Sequence, residues 1–156
     1  MSTVQIEIHR AEITSAEVQR LICALNAELE QRYPEDGANF FRLDAEDVAD
    51  GRGAFLVAYM DGRPVGCGAV RRNEPDVAEI KRMYVAPEAR GRGVGRLVLD
   101  ELEAVARQLG IRRLVLETGP RQPEALALYR HAGFVEIPLF GEYVGAEFSV
   151  CMAKNL

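Results

Sequence analysis

One stretch of this chain could do chemistry by residue type and spacing alone. It is Arg90-Gly91-Arg92-Gly93-Val94-Gly95, set between a strand-like run and a strongly amphipathic helix. Glycines at a helix start leave backbone N–H groups exposed, and the helix dipole adds partial positive charge there. Such a place binds anions, and phosphate is the obvious one. The distribution of charge agrees. The formal net charge is −5, and residues 1–50 hold 11 acidic against 4 basic side chains. Residues 80–96 reverse the balance, with Lys81, Arg82, Arg90, Arg92 and Arg96 against Glu88. A nucleic-acid binder shows a broad basic face. Here the positive charge is local and surrounds the glycine loop, which suits a small polyanion and argues against nucleic acid. The acidic remainder would tolerate or attract a cationic second substrate.

Two familiar phosphate motifs do not fit. A Walker loop needs Gly-x-x-x-x-Gly-Lys-Ser/Thr, and Arg96 and Leu97 stand where the Lys and Ser/Thr belong. A dinucleotide fingerprint needs Gly-x-Gly-x-x-Gly after the first strand of a βαβ unit. Gly91-x-Gly93 is followed by Arg96, and several strands come first.

The elements that must position this loop follow from periodicity. Val4 to His9 alternates as a strand. Thr14 and Glu17 form a capping box for a helix running to about Arg32, and Tyr33-Pro34-Glu35-Asp36-Gly37 breaks it. Leu43 to Asp50 reads as a short second helix. Ala54–Met60 and Arg63–Arg71 are strands joined by the turn Asp61-Gly62, and Asn73 to Asp76 is a loop. Val77 to Val85 is a long strand ended by Pro87. Val94, Leu97, Val98, Leu102, Val105, Ala106 and Leu109 mark one helix face, closed by Gly110. Arg113–Glu117 is a strand, Pro123 opens a helix that Gly133 closes, and Phe134–Ile137 and Glu147–Ala153 are the last strands. The order β-α-α-β-β-β-α-β-α-β-β gives a mixed α/β sheet.

The 156 residues suffice for a single domain, 1–156, with a real core. No run approaches ~18 apolar residues, so no membrane span is expected. The N-terminus lacks a basic segment leading into an apolar one, which points to the cytoplasm. Cys23, Cys67 and Cys151 lie far apart and read as reduced, buried thiols. His9 and His131 are too few for a metal site.

With these residues in hand, the chain resembles the GNAT superfamily of N-acetyltransferases. Three signals carry the likeness. Val85 followed by Arg90-Gly91-Arg92-Gly93-Val94-Gly95 is similar to the superfamily's Arg/Gln-x-x-Gly-x-Gly/Ala loop after the fourth strand. Gln122 to Phe134 is similar to its Asn-x-x-Ala-x-x-Leu-Tyr-x-x-x-Gly-Phe segment. Glu79 is a carboxylate on the preceding strand, six residues before Val85. The resemblance implies an α+β fold: a mostly antiparallel sheet of six to seven strands, splayed at strands 4 and 5 and flanked by about four helices.

It further implies acetyl-coenzyme A as co-substrate and no metal. The pyrophosphate would rest on Gly91 to Arg96, with charge added by Arg90 and Arg92. The pantetheine would run along Met83, Tyr84 and Val85 like an added strand, beside a bulge near Tyr84 or Val85. The Val85 N–H would face the acyl oxygen. Gln122 stands where relatives often have Asn. Tyr129 falls at the position of the general acid that protonates the departing thiolate. Glu79 and Glu117 are candidate bases. A base is useful because a lysine-like amine, pKa near 10.4, is neutral in about one molecule in 2,500 at pH 7. Tyr33, Phe40, Glu142 and Tyr143 are candidates for the acceptor pocket. A cysteine acyl-enzyme is disfavoured because no cysteine falls in the motif segments, although Cys67 could sit near the pocket.

The function so implied is transfer of an acetyl group to a primary amine of a small molecule or amino acid. Attack would be direct, in a ternary complex. Two alternatives stand beside it, a protein lysine or N-terminal acetyltransferase and a non-catalytic acyl-coenzyme A-binding regulatory module. Exposed edge strands at the C-terminus would allow a homodimer.

Overall fold

Ser15 starts the first helix: its hydroxyl accepts the Val18 N–H at 3.3 Å, one residue later than the expected Thr14 cap. In the computed structural model, which describes residues 4–36 and 43–156, this helix is α1 (Ala16–Arg32) and follows β1 (Ile6–Arg10). Its buried stripe is Val18, Leu21 and Leu25. Cys23 falls off that stripe and is exposed, against expectation, whereas Cys67 and Cys151 are buried.

The expected second helix is a single 3-10 turn, Ala45–Val48. Its apolar residues, Leu43 and Val48, are too few to make a stripe. Gly51, at φ +83°, then turns the chain into the next strand. Three α-helices therefore flank the sheet among the described residues.

β2 (Gly53–Met60) and β3 (Arg63–Glu74) form a hairpin through Asp61 and Gly62. Both turn residues have positive φ, +50° and +81°, as a type I′ turn demands. β3 runs three residues further than expected, so Pro75-Asp76 alone makes the turn into β4 (Val77–Val85). α2 (Val94–Gln108), β5 (Arg113–Thr118), α3 (Pro123–His131), β6 (Val135–Ile137) and β7 (Val150–Asn155) complete the chain. The sheet order is β1-β2-β3-β4-β5-β7-β6. Every pairing is antiparallel except β4 with β5.

Each face of the sheet carries its own apolar cluster. Val94, Val98, Leu99 and Leu102 of α2 pack on one side with Leu56, Ile80, Leu114 and Tyr129. Val18, Leu21 and Leu25 of α1 pack on the other with Phe55, Val57 and Tyr84.

Two features of β4 create an opening. Its parallel register with β5 runs from Val77↔Arg113 to Ile80↔Leu116 and stops, although β4 continues to Val85 and β5 to Thr118. On its other side, Cys67 pairs with Tyr84 but Ala69 pairs with Lys81. Arg82 and Met83 together thus face Gly68, a β-bulge that bends the strand and increases its twist. The bulge comes one to two residues before the expected Tyr84 or Val85, and Arg82 takes φ +59° within it. Gly68 makes room for it. A Cβ there would stand 2.6 Å from Met83 Sδ and 2.9 Å from both Leu102 Cδ1 and Val98 Cγ1.

Candidate active site

The parted strands enclose a cleft of about 430 Å³. At one end lies the glycine loop. Gly91 and Gly93 take φ +79° and +80°, a region that L side chains avoid. Gly93 is the N-cap of α2 and offers no side chain to cap it. At this end of the helix the Leu97 N–H donates to the Gly93 carbonyl at 3.1 Å. The N–H groups of Val94, Gly95 and Arg96 are therefore helix-start donors at the cleft wall. A Cβ on Gly93 would meet nothing within 4 Å, whereas one on Gly95 would touch Leu128 at 3.3 Å and Val85 at 3.5 Å. Positive φ requires glycine at Gly91 and Gly93, and close packing favours it at Gly95. An uncapped helix start with open space before it fits a phosphate group.

The arginines of the loop divide. Arg90 braces it, with Nε donating to the Val85 carbonyl at 2.9 Å and the guanidinium bonding Glu28 of α1 at 2.6 Å. Arg96 pairs with Asp100 at 3.0 Å yet borders the cleft. Arg92 does not border it.

The expected strand residues Met83, Tyr84 and Val85 line the cleft. Ala86 N–H donates to the Val65 carbonyl at 2.7 Å. The adjoining pair, Gly66↔Val85, is then a non-bonded one. Alternation turns the Val85 N–H away from β3 and towards the gap.

Tyr129 and Glu117 both line this cleft. The Tyr129 ring is buried and meets Phe134 edge-on at 5.8 Å. Burial, and secondarily the charge of Glu117, raise its pKa above the usual phenol value. Glu117 accepts a 2.6 Å hydrogen bond from the Ser149 hydroxyl. Gln122, the N-cap of α3, borders the cleft as well.

Glu79 lies elsewhere. It is 1% exposed and does not line the cleft. Its carboxylate accepts hydrogen bonds from Arg71 at 3.3 Å, Asn73 at 3.0 Å and the Tyr143 hydroxyl at 2.5 Å, with Lys81 Nζ at 3.7 Å. The reason is register. Glu79 pairs with Val115, where β4 and β5 are still joined. Glu79 is thus set back from the cleft lining by one hydrogen bond, that of the Tyr143 hydroxyl.

The acceptor candidates separate too. Tyr33 and Tyr143 line the cleft; Glu142 does not, pairing instead with Lys81 at 3.5 Å. Phe40 lies outside the described residues. The Tyr33 hydroxyl accepts the Arg121 N–H at 2.8 Å, and the Arg121 guanidinium covers the rings of Tyr33 and Phe148. Gly119 permits this seat: a Cβ there would stand 2.0 Å from the Tyr33 hydroxyl. Cys67 does not border the cleft. Its thiol donates to the Arg82 carbonyl at 3.2 Å, and burial pushes its pKa up to about 12.

Among the cleft residues that sequence reasoning did not name as site candidates are Lys81, Arg82, Thr118 and Phe148. The Lys-Arg pair inside an apolar strand was a readable signal. Phe148 gave none. The contribution of α1, through Glu28 and Arg32, needed the fold.

A profile of the Acetyltransferase (GNAT) family matches residues 19–134. This chain belongs to that family. Among related GNAT proteins, an IAA acetyltransferase of Azospirillum brasilense is 40% identical over 140 residues, spanning 89% of this chain and 90% of its own. An aminoglycoside N(6')-acetyltransferase type 1 of Stenotrophomonas maltophilia is 31% identical, spanning 69% of this chain and 86% of its own. A Klebsiella pneumoniae crystal structure, assigned as an acyl-CoA N-acyltransferase, superposes with a TM-score of 0.84 at 35% identity, covering 97% of each chain. The GNAT assignment makes the protein an acetyltransferase that uses acyl-coenzyme A. Among the described residues, no helix is long and apolar enough to cross a membrane.

Proposed function

We propose that this protein transfers the acetyl group of acetyl-coenzyme A to a primary amine of a small molecule, by direct attack within a ternary complex. The observation that carries this reading is that Glu117 and Tyr129 border the same cleft as the uncapped glycine loop. Acetyl-coenzyme A, when bound, supplies an acyl group activated as a thioester. The residues fitted to hold it are the N–H groups of Gly91 to Arg96 for the diphosphate and the β4 edge from Met83 to Val85 for the arm. The Val85 N–H, turned towards the gap, donates to the oxygen on which negative charge builds. Glu117 takes the proton that the acceptor nitrogen must lose. Tyr129, whose raised pKa keeps its proton on the hydroxyl, gives one to the departing sulfur. The thiol of Cys67, protonated and away from the cleft, has no part. The names of the Azospirillum and Stenotrophomonas relatives support a small-molecule acceptor.

Thiol release from acetyl-coenzyme A, measured with a panel of amines, tests the roles. Tyr129→Phe lowers kcat at least about tenfold, a common scale for losing a proton donor, and changes coenzyme A affinity little by calorimetry. Glu117→Gln lowers kcat/KM most at neutral pH, and the deficit shrinks as alkali deprotonates the amine. Wild-type turnover in both variants would refute the assignment.

A further inference from the structure

The two edges of the gap carry opposite charge. On the β4 edge, Lys81 and Arg82 line the cleft; on the β5 edge, Glu117 does. The acids that accompany the two cations are turned from the opening. Glu79 is sealed behind the Tyr143 hydroxyl, and Glu142 pairs with Lys81 without bordering the cleft. What a ligand meets on the β4 side is therefore positive.

Arg82 is also the residue that the bulge re-aims. It takes φ +59°, a conformation that is costly for a side chain of its kind and that is found most often where function requires it. Both cations have their pKa lowered, burial being the largest cause. A buried cation gains from an anion beside it. A guanidinium has five donors in a planar fork, so Arg82 can take a carboxylate in addition to its other contacts. A polycationic acceptor, by contrast, would set its second ammonium against these groups.

We infer that the acceptor is an amine that also bears a carboxylate, its carboxylate held by Arg82 and Lys81 and its amino group turned towards Glu117. The inference rests on the N-acetyltransfer reading above and names the substrate class for it. It narrows the expected small-molecule or amino-acid amine to one that carries a carboxylate, because the charge that borders the cleft outweighs the distant net charge of the chain.

The test is thiol release from acetyl-coenzyme A with the twenty protein amino acids, their carboxamides and their decarboxylated amines. The expected result is at least one acid with a KM at least about tenfold below that of its amide and amine. Arg82→Asn removes the cation while keeping a residue that tolerates left-handed backbone. It raises that KM at least about tenfold and brings acid and amide to within about threefold, roughly the loss of one charge-assisted hydrogen bond. Thermal melting checks the fold, and Lys81→Met gives the same reading should Arg82→Asn melt early. Amides and amines used as well as acids, or a preference that survives both substitutions, overturns the carboxylate assignment and leaves acetyl transfer standing. No thiol release from any member of the panel overturns both.

Discussion

Glu79 pairs across to Val115 inside the joined part of β4 and β5, while Glu117 lies one residue past Leu116, the last paired position. That small difference along parallel strands separates a carboxylate buried among cations from one that lines the cleft. Glu79 thus anchors Arg71, Asn73 and Tyr143. Glu79→Gln leaves Arg71 and Lys81 without their shared buried counter-charge. Breaking a buried ion pair costs about 3–5 kcal/mol, so the melting temperature falls sharply. With Glu117 as the proposed base, any loss of rate is expected to be flat with pH; a deficit that recovers in alkali would instead make Glu79 the base. At this scale the sequence was only partly legible. The family resemblance picked out Tyr129, and that residue does line the cleft. Two strand glutamates could not be told apart, because solvent access depended on where a non-local pairing ended.

The bulge of β4 is the element that opens the sheet, and it depends on a residue of the neighbouring strand. Gly68 lies against Met83, Leu102 and Val98. Gly68→Ala pushes a methyl into branched, buried side chains of α2, and overpacking of this kind costs about 1–3 kcal/mol. The same methyl presses on Met83 within the bulge. Differential scanning calorimetry reads the first effect, and coenzyme A affinity, falling with the distorted β4 edge, reads the second. Most element positions were visible in periodicity and in glycine and proline punctuation. The failures have physical causes. Residues 43–50 hold too few apolar groups to sustain α-helix. The bulge was placed late, because the glycine that permits it sits fifteen residues away from Met83 in sequence.

Across the whole molecule, two apolar clusters on opposite faces of one sheet hold the cleft between them. The apolar stripes of α1 and α2 were legible; that they take opposite faces, and that α1 thereby supplies a wall of the site, was not. All five tyrosines share a property that couples the fold to pH. Each has a pKa raised above 10.0, by burial first in Tyr33, Tyr84, Tyr129 and Tyr143 and by the Glu17 hydrogen bond first in Tyr59. The folded chain thus keeps phenolic protons that the unfolded chain releases above pH 10. The tyrosine contribution is intact below that pH and declines above it, by roughly 1 kcal/mol per pH unit for each fully shielded tyrosine, and the buried thiols of Cys67 and Cys151, also raised, begin the decline nearer 9. Lys81, whose pKa is lowered by burial, works the other way below 10.5. Melting temperatures from pH 9 to 11 should fall steeply past 10, and less steeply in Tyr129→Phe.

The seat of Tyr33 over Gly119 has a consequence for catalytic breadth. The chamber beside Glu117 is narrowed by an aromatic ring whose place exists because a neighbouring residue has no side chain. Evolution or engineering need only add one methyl, Gly119→Ala, to evict the phenol and widen the chamber. Such a variant should accept bulkier amines at the expense of small ones, and an unchanged ranking of acceptors by size would show that this wall sets no limit.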